Sequence, residues 1–192
     1  NTVMSLGPVG YWRLSGPAVP GVNYGLGTAT NIGSAGAAGN GTYYHSPTLQ
    51  VPGAVAGDPA ANLNGTSQYA EVPYTPALNP SNTLTVEFWA KLDIAVTAAK
   101  AGVVSRYVAG TTQRGYLFFT HNGNNKWQFR VYNGSAGVTV TDVNGPDIDP
   151  GLWYHVTGVY DGTQAHIYVN GIEASPAVTG VYAANTNSPL RI

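Results

Sequence analysis

The stretch LWYHVTGVYDGTQAHIYVNGIEA, Leu152 to Ala174, decides the fold. Two runs rich in β-branched and aromatic residues flank Asp161-Gly162-Thr163-Gln164, a four-residue loop made of turn formers. Pairing Tyr160 with Ala165 sets a register in which Val159 faces His166, Thr157 faces Tyr168 and His155 faces Asn170. Successive side chains of a strand point to opposite faces, so the pairing also sorts them. Tyr154, Val156, Gly158, Tyr160, Ala165, Ile167 and Val169 make a core face, with Gly158 opposite the larger Ile167. Trp153, His155, Thr157, His166, Tyr168 and Asn170 make the other face.

The same grammar extends outward. In LTVEFWAKL, Leu84, Val86, Phe88, Ala90 and Leu92 alternate with Thr85, Glu87, Trp89 and Lys91. In YLFFTHNGNNKWQFRVY, pairing Thr120 with Lys126 puts Leu117, Phe119, Trp127, Phe129 and Val131 on one side. Tyr116, Phe118, Gln128 and Arg130 fall on the other. Strands are predicted over Val9–Leu14, Ala61–Asn64, Tyr69–Val72, Leu84–Leu92, Gly102–Val108, Tyr116–His121, Lys126–Asn133, Val138–Val143, Trp153–Tyr160 and Ala165–Asn170. No segment holds a helical period, so an all-β sandwich follows. Residues 16–41 are Gly/Ala-rich and read as a long loop or surface cover, a kind of segment that usually carries function or moves.

Composition narrows the partners. The 192 residues suit one domain with a sizeable core. Hydrophobic residues make up 43% and charged ones only 9%, against roughly 25% charged in an average soluble protein. Eight basic and nine acidic residues give a formal net charge of -1. With no Lys/Arg cluster to neutralise phosphates, nucleic acid and anionic membranes are poor partners. The absence of cysteine excludes disulfides and thiolate chemistry. No apolar run approaches the ~18 residues that would insert in a membrane as a helix. Low charge with abundant Gly, Thr, Asn and Tyr points to a secreted or cell-surface protein.

LTVEFWAKL, followed by a strand pair and then by GLWYHVTGVYDGTQAHIYVNG, resembles the laminin-G-like group of the concanavalin A-like jelly-roll superfamily. ANLNGTSQYAEVP resembles the segment before its EFW strand, and VGYWRL resembles its first strand. The likeness runs from Pro8 to Ile192. It implies one domain over 1–192, an antiparallel two-sheet jelly-roll sandwich. Relatives include carbohydrate-binding modules, adhesion domains, pentraxin-like modules and glycosidases, so the fold alone does not set the function. Family members usually continue past the equivalent of SPLRI with a closing strand of the type G-x-I-D-E-V-x-I-Y. The resemblance therefore implies a closing strand that is either cut away or supplied from elsewhere. In the second case self-association through an open sheet edge is expected.

Glycosidases of this superfamily carry paired carboxylates as E-x-D-x-x-E on one strand, and such enzymes need two acids flanking the bond. Here Glu87 stands alone within EFWAKL and Asp93 lies at its end, so no enzyme is expected. His155 and His166 lie on adjacent strands of one face without a Ser or an acid completing a triad. Calcium is the metal the resemblance implies. Asp58, Asn64, Asp142, Asp147, Asp149 and Asp161 are the available oxygens, with Asp58 and Asp147 as candidate ligands. The acid that the family carries after YW-x-L is Ser15 here.

Sugar binding would use aromatic platforms and planar hydrogen bonders. Trp89, Tyr116, Arg130, Trp153, His155, His166 and Tyr168 could form such a face, and Tyr24, Tyr43, Tyr44 and His45 are loop groups of the same kind. Asn40, Asn64 and Asn133 each open a glycosylation-type triplet. The expected role is a non-catalytic recognition or adhesion module of a larger surface protein, with a glycan or surface polymer as partner. The rival expectation is a structural subunit of an extracellular fibre or layer that assembles by strand sharing.

Overall fold

The computed structural model describes residues 2–16, 27–95, 98–120, 125–136 and 140–192. They form two compact units, 1–78 with 189–192, and 79–188. The first contains β1 (Thr28–Ala29), β2 (Gly41–Tyr44), β3 (Thr48–Val55), β4 (Asp58–Asn62) and β5 (Tyr69–Val72). The second contains β6 (Leu84–Lys91), β7 (Lys100–Ala109), β8 (Thr112–Thr120), β9 (Lys126–Ala136), β10 (Val140–Asp147), β11 (Trp153–Tyr160), β12 (Gln164–Val169), β13 (Ile172–Glu173) and β14 (Val178–Thr179). The chain then returns to the first unit with β15 (Leu190–Arg191).

In the first unit the strands run β1-β2-β5-β15, all antiparallel, beside a β3-β4 hairpin. Ala29, Tyr43 and Ala70 are buried there, and Trp12, Leu14, Leu49 and Ile192 pack on them. The predicted strand over Val9–Leu14 shrinks to one bridge, Trp12 to Asn31. The reason is local: the buried Asn31 side chain accepts the Tyr11 and Gly33 N–H groups at 2.7 and 3.0 Å, and the Trp12 indole donates to the Gly39 carbonyl. These partners replace a ladder. The expected loop over 16–41 accordingly carries β1 and a 3₁₀ turn at Gly36–Gly39, while residues 17–26 lie outside the described residues. β3 went unforeseen because Pro52 and Gly53 interrupt it, and such residues belong to edges and bulges.

The second unit is a sandwich. One sheet is β7-β8-β9-β10 and the other is β13-β12-β11-β6, with β14 also on β12. The Leu152–Ala174 reading holds: Tyr160 pairs Ala165, Gly158 pairs Ile167 and Thr157 pairs Tyr168. Burial alternates along β11, and Val156 and Ile167 are fully enclosed. The expected faces of β6 hold as well, with Phe88 edge-on to Phe118 at 5.1 Å and to Trp127 at 6.0 Å.

The β8-β9 pairing is a correction. Thr120 pairs Trp127, not Lys126, and Phe118 pairs Phe129. A one-residue slip turns the side chains of one strand over relative to its partner. In this register Tyr116, Phe118, Trp127, Phe129 and Val131 share the interior face, whereas Leu117 and Phe119 pack with Tyr132 on the opposite face. The slip wins because Phe118 and Phe129 stack at 4.7 Å directly over Gly158. The His121 end of the predicted strand and residues 138 and 139 lie outside the described residues.

Gly158 marks a tight contact between these two layers. A Cβ there would sit 2.8 Å from both Phe118 Cε1 and Phe129 Cδ2. Neither ring can retreat in a close-packed interior. Gly158→Ala is expected to cost about 1–3 kcal/mol in urea unfolding through overpacking, and an unchanged midpoint would show that the sheets are not held at this distance.

Candidate functional site

With the interior face fixed, the opposite face of β6-β11-β12-β13 is determined. β6 and β11 pair Glu87 with Thr157, Trp89 with His155 and Lys91 with Trp153. β12 adds Tyr168 beside Thr157 and His166 beside Val159, and β13 adds Glu173 beside Tyr168. Five residues singled out from the sequence, Trp89, Trp153, His155, His166 and Tyr168, therefore share one surface. Trp89 is 50% exposed, although it lies within an eight-residue strand.

The rings on this surface are held in place. The Trp89 ring lies 5.1 Å from the His155 imidazole at an interplanar angle of 43°. His155 Nε2 is 3.5 Å from Glu87 Oε2, and its backbone N–H donates to Asn170 Oδ1 at 2.9 Å. Lys91 Nζ lies 5.5 Å from the Trp153 ring centre, which fits a cation–π contact. Strand parity already places Glu87, Lys91 and Asn170 on this outer face, although they are not among the candidate binding residues; Glu173, on a two-residue strand, gave no such signal.

A second cluster adjoins the first. His166 Nδ1 is 2.7 Å from Glu173 Oε1, its Nε2 is 3.4 Å from Asp161 Oδ2, and its ring stacks on Tyr168 at 6.2 Å. The hydrogen bond to Glu173, and then the one to Asp161, hold the imidazole above its ordinary pKa against the opposing effect of desolvation. Asp161 Oδ1 accepts the N–H groups of Gln164 and Thr163 and the Thr163 hydroxyl at 2.7–2.9 Å. These bonds hold its carboxyl well below the usual range.

Two of the expected residues stand elsewhere. Tyr116 is only 3% exposed and lies on the interior face, where burial and then Tyr182 push its phenol up. Its inward turn follows from the corrected β8-β9 register. Arg130 belongs to the β7-β10 sheet, gripping Asp142 through Nε and Nη2 at 2.5 and 2.7 Å and covering the Phe119 ring.

The proposed metal ligands are held by cations. Asp58 is 3.0 Å from Arg13 Nε, and Asp147 is 2.9 Å from Lys126 Nζ. They belong to different units, and among the described residues no group of three or more His, Cys, Asp or Glu gathers to hold an ion. Tyr24 lies outside the described residues, Tyr43 is buried with its phenol pushed up to about 12, and Tyr44 and His45 are exposed. No helix among the described residues is long and apolar enough to cross a membrane.

Residues 64–192 match the laminin-G family model of the concanavalin A-like lectin/glucanases superfamily. This chain belongs to that superfamily. Its sandwich, with the aromatic face on β6 and β11, lies within the matched region. Among solved structures, domain 4 of AbnA, a GH43 extracellular arabinanase from Geobacillus stearothermophilus solved in complex with arabinotriose, is 21% identical. That match covers 71% of each chain with a TM-score of 0.34. No curated protein matches the sequence.

The His166 cluster has a defined pH signature. A folded-state pKa raised above 6.5 gives stability that is complete below that value and fades as pH climbs through the raised one. In melting curves from about pH 5.5 to about pH 9, the wild type should exceed His166→Asn most at the acid end and converge on it at the basic end. A gap that stays constant across the series would contradict the cluster.

Proposed function

We propose that the β6-β11-β12-β13 face recognises carbohydrate without transforming it, in an extracellular or cell-surface setting. The observation that carries this reading is Trp89: a large aromatic ring half open to water on a sheet surface, propped by His155 and flanked by Trp153. Burying such a ring in a chain's own core would release apolar surface from water, so an outward Trp held in one orientation fits a partner with an apolar flat side. The C–H side of a pyranose is such a partner. Glu87, Lys91, His155 and Tyr168 offer hydrogen bonds to its hydroxyls, the mixture a specific site needs. Membership of a lectin/glucanase superfamily agrees with this class of ligand.

Charge refines the preference. Glu87, Glu173 and Asp161 outnumber the cations Lys91 and His166 around the face, so neutral glycans are favoured over uronates. Glu87 is engaged by His155, which supports binding over bond cleavage. Trp89→Ala and Trp153→Ala should each weaken retention on neutral polysaccharides by about tenfold or more in affinity electrophoresis. Melting temperatures should barely move for Trp89→Ala, since that side chain is exposed. An intact protein that no neutral polysaccharide retards would overturn the proposal, and release of reducing ends would overturn its non-catalytic half.

A second reading rests on β6 itself. Among the described residues β11 flanks one side of it and no strand flanks the other. An eight-residue edge of this kind offers N–H and C=O groups to a strand from another chain, as a strand-sharing fibre subunit would. A strictly monomeric mass by light scattering at millimolar concentration would remove that reading.

A further inference from the structure

We propose a second carbohydrate platform in the first unit, on the outward face of β2 and β5, selective for neutral, hydroxyl-rich saccharides. Tyr43, Ala70, Val72 and Leu190 point into the core, so Tyr44, Tyr69, Glu71 and Arg191 point away from it. Tyr44 and Tyr69 are cross-strand partners whose rings stack at 4.9 Å and 18°. The Arg191 guanidinium lies 4.8 Å from the centre of the Tyr69 ring. Tyr69 is thus engaged by Tyr44 and Arg191, whereas Tyr44 remains 38% exposed.

An ordinary cross-strand tyrosine pair would explain the stack. It does not explain His45. That residue adopts φ 59° and is followed by Ser46 at φ 51°, two successive left-handed non-glycine residues. Such backbone is costly and persists only where the surroundings enforce it. Here the enforcer is Gln68, whose amide donates to the His45 and Ser46 carbonyls at 3.0 and 2.8 Å while its Oε1 accepts the Asn64 N–H at 2.9 Å. The result sets the His45 ring 5.9 Å from Tyr69 and 6.5 Å from Tyr44, inclined at 46° to the latter. The chain accepts strain to form a corner of two inclined rings, a preorganised stacking surface.

Its polar neighbours define the ligand. Glu71 and Arg191 are joined at 2.7 Å, a pair with no net charge, and Thr42 lies opposite Glu71. A guanidinium, a carboxylate and a hydroxyl beside an aromatic corner suit vicinal hydroxyls and give neither uronates nor amino sugars an unpaired counter-charge. The inference rests on the carbohydrate reading of Trp89 only for its ligand class. Together the two platforms make the chain bivalent.

Affinity electrophoresis of the whole chain through gels holding hydroxyethylcellulose, xylan or galactomannan tests this, with Tyr44→Ala, Trp89→Ala and the double variant. Each single variant should lose part of the retardation, about tenfold for a stacking ring, and the double variant all of it. If Trp89→Ala alone abolishes retardation and Tyr44→Ala changes nothing, the second platform is refuted and the first stands. The converse refutes the first and keeps the second. A wild type that none of the three polymers retards, or single variants that both behave as wild type, refutes both. His45→Gly separates binding from folding: glycine accepts φ 59°, so the melting temperature should hold or rise while retardation falls. Unchanged retardation in a stable His45→Gly chain would also overturn the proposal.

Discussion

The sandwich of the second unit turns on a missing side chain. At Gly158 the two sheets approach so closely that Phe118 and Phe129 lie against backbone, and Phe88 meets Phe118 edge-on in the same region. Aromatic rings bury much surface and prefer stacked or edge-on geometry, so this cluster anchors both layers at once. It also fixes parity. With β11 held by Gly158 and β6 by Phe88, neither of these strands can turn over without carrying its inward side chains into water. The outward position of Trp89, His155 and Trp153 is therefore the other side of the same constraint.

The exterior differs between the two layers. β7 to β10 carry Lys100, Arg106, Arg114, Lys126 and Arg130 against Asp142 and Asp147. On their outer face, guanidinium groups lie over Tyr132 and Phe119, closing those rings off. The opposite layer has Lys91 against Glu87 and Glu173, and leaves Trp89 open. Arginine is more weakly hydrated than lysine and lies flat on rings, so the basic layer is capped by its own side chains. The acidic layer keeps an accessible aromatic surface.

Much of this was legible in the chain itself. The hairpin at Leu152–Ala174 had a turn of known chemistry and clean alternation, so its register and both faces could be read directly. β6 was equally plain. The β8-β9 hairpin was not, because Tyr116, Leu117, Phe118 and Phe119 are all apolar and each parity gives a plausible core. Contacts with residues distant in the chain, Gly158 and Phe88, select between them. Tyr116 was misplaced for that reason. The short strands β13, β14 and β15 lacked the length to produce a periodic signal. Parity puts Glu87 on the outer side of β6, but its partnership with His155 needs the β6-β11 pairing, and Glu173 sits on a two-residue strand with no periodic signal.

One further feature concerns how the unit behaves in a crowded solution. β12 lies beside two short partners: β13 pairs with Tyr168 and Val169, and β14 with Gln164 and Ala165. Between them the Ala174 N–H reaches the Ile167 carbonyl at 2.9 Å. The border is thereby tiled with brief segments joined by a chain containing Pro176. A growing amyloid ladder needs a long, regular backbone rim as template, and this rim offers none. β12, whose Ala165, Ile167 and Val169 face the core, is thus covered along the rim where another strand would add.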